Sequence, residues 1–206
     1  MEDCVAKYGD RPAFEVAKYG VFDRGGMAYH CVYLNDDEIA LAVVTTPASN
    51  LKLANGVAPL IKMLEAGVNV ALGTDGPASN NGLDMFREMY LASVLQKSVT
   101  GDPAAMPAET VLKMATVNGA MAMRLYDCDC LAEGKQADMT LINLDRPNTR
   151  PLANLQKSIV FSADRTNVRM TVVAGRLLYE DGEFFTDIPA DEIYRRCEEI
   201  AGRFHK

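Results

Sequence analysis

Three polar side chains in this sequence stand where chemistry could be done. Asp75 closes the apolar run VNVALGTDG (68–76), Ser79 follows in the polar stretch PASNN, and His30 interrupts the apolar MAYHCVYL (27–34). An aspartate at a strand-to-loop corner serves either as a turn or helix-capping residue, or as a metal ligand or proton acceptor at the strand's end. A histidine in an apolar strand is either a satisfied core side chain or a group that exchanges protons near neutral pH. Ser79, with Asn80 and Asn81, reads on its own as an ordinary polar loop. Cys128 and Cys130, in DCDC, put two thiols near two carboxylates. A Cys-x-Cys pair is a weak metal signal, and none of the five cysteines forms the CxxC of a zinc ribbon or redox site. Met85, Met89, Met114, Met121 and Met123 fall in helical stretches and read as core filling.

The elements that must position these residues follow from the hydrophobic pattern. MAYHCVYL (27–34), LAVVTT (41–46) and VNVALGTDG (68–76) are predicted strands, and VAPLIKMLEAG between the last two has helical spacing through Leu60, Ile61 and Leu64. Two more helices are predicted over 83–99 and 107–123, the second opened by Pro107 with Glu109 in its first turn. Apolar strands alternating with amphipathic helices mark a parallel α/β sheet, open or closed into a barrel. Only Asn35 to Ala40 separates the first two predicted strands, whereas a parallel crossover takes about a dozen residues. Either LAVVTT is not a strand, or a connecting helix has been cut down.

From about Leu131 the texture changes to short β-rich segments at 137–144, 158–163 and 168–185, the last carrying two glycine turns as a hairpin would. A charged helix closes the chain. The expected organisation is a barrel-type portion over 1–130, a small β portion over 131–188 and a terminal helix over 189–206.

Charge and composition bound the partners. With a formal net charge of −7 and no Lys/Arg cluster, the surface suits neither nucleic acid nor an anionic membrane, which leaves small molecules or proteins. No apolar run approaches the roughly 18 residues that would span a bilayer. The scattered, odd-numbered cysteines fit a reducing cytoplasm, which is the expected location.

Several stretches taken together are more specific than any one. AYHCVYL, TPASNLKLANGVAPL, VNVALGTDGPASNN, LDMFREMYLASVLQK, PAETVLKMAT, GKQADMTLINLD and VVAGRLLYEDGE occur in the order seen in the amidohydrolase superfamily. The chain resembles the C-terminal half of its 5-methylthioadenosine/S-adenosylhomocysteine deaminases, relatives of guanine deaminases and triazine chlorohydrolases. The resemblance implies the last part of a (β/α)8 barrel, strands 6 to 8, plus part of a small β-sandwich domain, with the site at the C-terminal mouth of the barrel. It implies one divalent metal, zinc or iron, and a purine nucleoside substrate. By position it makes Asp75 a metal ligand that helps deprotonate the metal's water. It makes His30 a hydrogen-bond partner of that water, and Ser79 a neighbour of the substrate.

The chemistry suits those residue types. Hydrolytic deamination needs hydroxide at neutral pH, which a bound Zn²⁺ supplies by lowering the pKa of its water to roughly 7. Such a metal takes about three protein ligands. The sequence holds two histidines, His30 and His205, and neither the His-x-His pair nor the His-x-x-Glu segment that the family places on strands 1 and 5. Two further readings therefore stand beside a deaminase completed by an N-terminal half. One is a non-catalytic homologue acting as a binding or dimerisation module, with homo-oligomerisation covering its exposed edges. The other is a guanine deaminase-like or chlorohydrolase-like specificity.

Overall fold

A computed structural model describes residues 2–21, 26–35 and 42–204. Two short helices, α1 (Glu2–Tyr8) and α2 (Pro12–Ala17), come first. Strands β1 (Met27–Tyr29), β2 (Ala42–Thr45) and β3 (Val70–Leu72) then form a parallel sheet in the order β1-β2-β3. Val43 lies opposite both Ala28 and Val70, and Thr45 pairs with Leu72. All three residues of β3 are buried, as expected where helices cover both faces of a parallel sheet.

Helices α3 (Pro47–Lys52) and α4 (Leu60–Glu65) separate β2 from β3. After β3 come the single turn α5 (Pro77–Asn80) and the long α6 (Met85–Thr100). Asp84 caps α6 by accepting the backbone N–H groups of Phe86 and Arg87. Gly101 ends it at φ 69°, a left-handed position that suits glycine. Helices α7 (Ala108–Ala115) and α8 (Val117–Ala122) pack back onto the sheet. Val43, Leu60, Met63, Val70, Met89, Val111 and Met114 form the main core.

The later residues build a four-stranded antiparallel sheet, β4 (Met139–Ile142), β5 (Val168–Val173), β6 (Arg176–Glu180) and β7 (Glu183–Phe184), in sequential order. The two expected glycine turns are there. Ala174 and Gly175 have φ of 51° and 75°, and Asp181 and Gly182 of 45° and 103°, the positive pairs that tight two-residue hairpins demand. A terminal helix, α10 (Ala190–Ala201), follows. No described helix is long and apolar enough to cross a membrane.

Four expectations need correction. The first predicted strand stops at Tyr29, because His30 and Cys31 take φ of 66° and 51°, which no strand accommodates. LAVVTT does hold a strand, and with the earlier stop the connection spans 30–41, long enough for a parallel crossover. Residues 36–41 of that connection lie outside the described residues. The helix expected over 107–123 is broken at Thr116 (φ −127°, ψ −99°), whose hydroxyl bonds back to Leu112 O at 2.7 Å.

SIVFSA, expected as a β segment, belongs to helix α9 (Leu155–Phe161). Asn154 caps it by accepting from Lys157 N at 2.8 Å, and Val160 is buried in the main core beside α6 and α7. Core burial outweighs the local β preference of Ile, Val and Phe. Finally, PASNN, expected as a polar loop, begins as helix α5, much as the TPASN stretch after β2 begins helix α3. Proline at the first helical position of each has its φ already set for a helix.

Candidate functional site

Parallel strands end on one side of their sheet, and the polar side chains gather there. His30 directly follows β1, Thr46 directly follows β2, and Asp75 lies just past the end of β3. Ser49 and Asn50 come from α3, Ser79 from α5. The sheet therefore delivers His30, Asp75 and Ser79 to one place.

Asp75 is both a turn residue and the centre of the cluster. Its φ of 60° is a conformation that aspartate tolerates better than most side chains. Its Oδ1 accepts the Gly76 N–H at 2.7 Å and so steadies the turn into α5. Its Oδ2 faces the other way and accepts two hydroxyls, Ser49 at 2.6 Å and Ser79 at 2.7 Å. The Ser49 hydroxyl first, then Ser79 and the Gly76 N–H, hold the Asp75 carboxyl down at about 2, with the nearby His30 adding a smaller pull. Asp75 is therefore a carboxylate throughout the neutral range.

His30 is fixed from behind. Its backbone N–H donates to Val44 O at 3.0 Å, continuing the β1–β2 pairing past the strand's end. Its Nδ1 lies 2.9 Å from Asn50 Oδ1 and 2.8 Å from Thr46 Oγ1. An amide oxygen only accepts, so neutral His30 carries its proton on Nδ1 and keeps the Nε2 lone pair free. Nε2 points toward Asp75 Oδ2 across 3.9 Å, too far for a direct hydrogen bond, and the two side chains are 40% and 31% exposed. The pair is reachable from solvent, with two acceptor atoms converging on one spot.

This set does not complete a metal site by itself. No group of three or more His, Cys, Asp and Glu side chains converges among the described residues. His205 lies outside them. Cys128 and Cys130 sit far along the chain beside β4, where burial pushes the Cys128 thiol up and Asp138 adds to the effect. Among the described residues the cluster offers a carboxylate and an imidazole, fewer than the three or so protein ligands that a catalytic zinc takes.

Sequence reasoning singled out Asp75, His30 and Ser79, and all three meet. It missed Thr46, Ser49 and Asn50, which line up behind them. Their signal was the polar TPASN stretch that directly follows β2.

Against known proteins, the model of the amidohydrolase family matches residues 1–178. The chain belongs to that family. It is 43% identical over 213 residues to a 5-methylthioadenosine/S-adenosylhomocysteine deaminase of Moorella thermoacetica, covering all of this chain and 49% of that protein. A zinc-bound adenosine deaminase from Xanthomonas campestris superposes with a TM-score of 0.93 at 34% identity, over 99% of this chain and 48% of the other. A zinc complex of atrazine chlorohydrolase from Arthrobacter aurescens gives 0.85 at 25% identity, over 94% and 44%. The chain spans about half the length of the curated relatives it matches.

Proposed function

We propose that this chain supplies the His30, Asp75 and Ser79 side of the site of a metal-dependent hydrolytic deaminase. Its substrate would be an adenosine thioether, S-adenosylhomocysteine or 5-methylthioadenosine, converted to the inosyl product and ammonia. In this reading β1, β2 and β3 are barrel strands 6, 7 and 8, residues 1–130 make the barrel portion, joined by α9 from within 131–188, and β4 to β7 make the small β portion. The metal is zinc, and its remaining ligands come from polypeptide matching the other half of the family's length. The protein works in the cytoplasm on a small molecule. The observation that carries the reading is the convergence of His30 Nε2 and Asp75 Oδ2 at the strands' C-terminal ends. Relatives 39–43% identical that bear the deaminase name favour the adenosine thioether over guanine or a triazine.

The residues present suit their parts. Water adds to the ring carbon bearing the amine, so a proton must leave the water and another must reach the departing nitrogen. Neutral His30 accepts through Nε2 and is held in that tautomer by Asn50. Ionised Asp75 stabilises the positive charge that His30 gains on accepting a proton, and Ser79 ties the carboxylate to α5, which borders the site.

The test is co-expression of the chain with the N-terminal half of the Moorella relative, measuring zinc per complex and ammonia release from S-adenosylhomocysteine, with Asp75→Ala as control. Near-stoichiometric zinc and turnover, both lost in the variant, support the proposal. A complex that assembles with neither overturns it.

A second reading, a binding module that pairs with its own copy, rests on a separate observation. Among the described residues β1 and β3 each pair on one side only, and Tyr29 beside the β1 edge is 56% exposed. A sedimentation measurement that finds only monomer at high concentration excludes that reading.

A further inference from the structure

Glu88 is a buried carboxylate that none of the chemistry above uses. It sits in the first turn of α6 and is 0% exposed. Its Oε2 accepts the Ala48 N–H at 2.9 Å and its Oε1 accepts Asn80 Nδ2 at 2.7 Å. Ala48 adjoins Ser49 in α3, and Asn80 adjoins Ser79 in α5. One side chain therefore holds both turns whose hydroxyls meet on Asp75 Oδ2.

We propose that Glu88 is a positioning residue that locks Ser49 and Ser79 onto Asp75 by bridging α3 and α5 from the rigid α6. The role in turnover rests on the deaminase reading; the brace itself does not. The anchor is firm because α6 buries Met89 and Ala92 and is tied down by Ser93 to Met106 O at 2.8 Å and Gln96 to Ala58 O at 2.9 Å. The orientation of the Asn80 amide is fixed as well, since Arg87 donates to its Oδ1 while its Nδ2 also reaches Thr74 O. One N–H donor faces each oxygen of Glu88, so both must accept. An ionised carboxylate provides them; burial pushes the Glu88 carboxyl up, and the Ala48 N–H and the Asn80 amide oppose that. A glutamine here must turn one N–H₂ toward a donor and leave a buried group unpaired.

The test is amide hydrogen exchange on this chain, comparing wild type with Glu88→Gln and with Asn80→Ala. Glu88→Gln is expected to speed exchange of the Asn50 and Leu53 amides, which bond back onto α3, and of Ser79 to Asn81, which bond back onto α5, by about tenfold or more. Val43 and Val70 to Leu72 keep their rates. Asn80→Ala removes one arm only and is expected to loosen 76–81 while sparing α3. Acceleration by one common factor throughout the chain, or none in either turn, overturns the brace. In the assembled enzyme Glu88→Gln is expected to lower kcat about tenfold or more with KM nearly unchanged. An assembled wild type without turnover sinks the deaminase reading and leaves the exchange result standing.

Discussion

The sharpest consequence of the geometry concerns Ser49→Ala. Asp75 lies at about 2 against an ordinary 3.8, nearly two pH units. At about 1.36 kcal/mol per unit that is a ceiling of about 2.5 kcal/mol, shared among Ser49, Ser79 and the Gly76 N–H. Partial exposure of the carboxylate screens part of it, which leaves the Ser49 bond at about 1 kcal/mol. The folded carboxyl is lower than the unfolded one, so this stability is complete above about 4 and drains away as the pH falls toward 2. A double-mutant cycle of Ser49→Ala with Asp75→Asn, followed by urea unfolding, reads the coupling directly. It should be about 1 kcal/mol at pH 7 and shrink steadily below pH 4. Coupling near zero at pH 7, or equal coupling at pH 7 and pH 2.5, refutes the claim that the Ser49 hydroxyl is bonded to an ionised Asp75.

Other outcomes follow from single observations. Nitrogen NMR of neutral His30 should show the proton on Nδ1, set by Asn50 Oδ1 at 2.9 Å, and a dominant Nε2–H form would contradict it. Met114, 0% exposed at the centre of the core, should cost about 2–5 kcal/mol in urea unfolding when changed to Ala. Gly101→Ala should cost about 1 kcal/mol by the same measure, because φ 69° strains any residue with a Cβ although nothing lies within 4 Å of the position.

How much of this could be read from the sequence depended on range. The β2, β3 and hairpin segments announce themselves through apolar runs and glycine turns. Asp75 was legible as a choice between turn and ligand; in the structure Oδ1 serves the turn while Oδ2 accepts the Ser49 and Ser79 hydroxyls. Asn50 and Glu88 were not legible, because His30 lies 20 residues from Asn50, Glu88 joins Asn80 to an Ala48 that is 40 residues away, and neither residue type is unusual where it stands. The early end of β1 was hidden for another reason. Positive φ at His30 and Cys31 is rare for side-chain-bearing residues; at His30 it accompanies the tight Cys31 N–H to Tyr29 O bond at 2.8 Å and the hold of Val44, Thr46 and Asn50 on the residue. In SIVFSA the local preference pointed to a strand, and the deciding signal was the capping Asn154 just upstream.

On the deaminase reading, the shortage of ligands and the outer strand edges left unpaired among the described residues have one geometric origin. His30 follows β1 and Asp75 follows β3, the two outer strands, while Thr46, Ser49 and Asn50 follow the middle one. A strand added beside β1 would end next to His30, and one added beside β3 would end next to Asp75, because parallel strands share their C-terminal side. On that reading, closing the sheet and completing the donor set are the same event. In the co-expression experiment, zinc occupancy and resistance to unfolding should rise together, and Asp75→Ala should abolish the first while leaving most of the second. Zinc bound without added stability, or stability gained with zinc indifferent to Asp75, would separate the two and place the metal away from the strand ends.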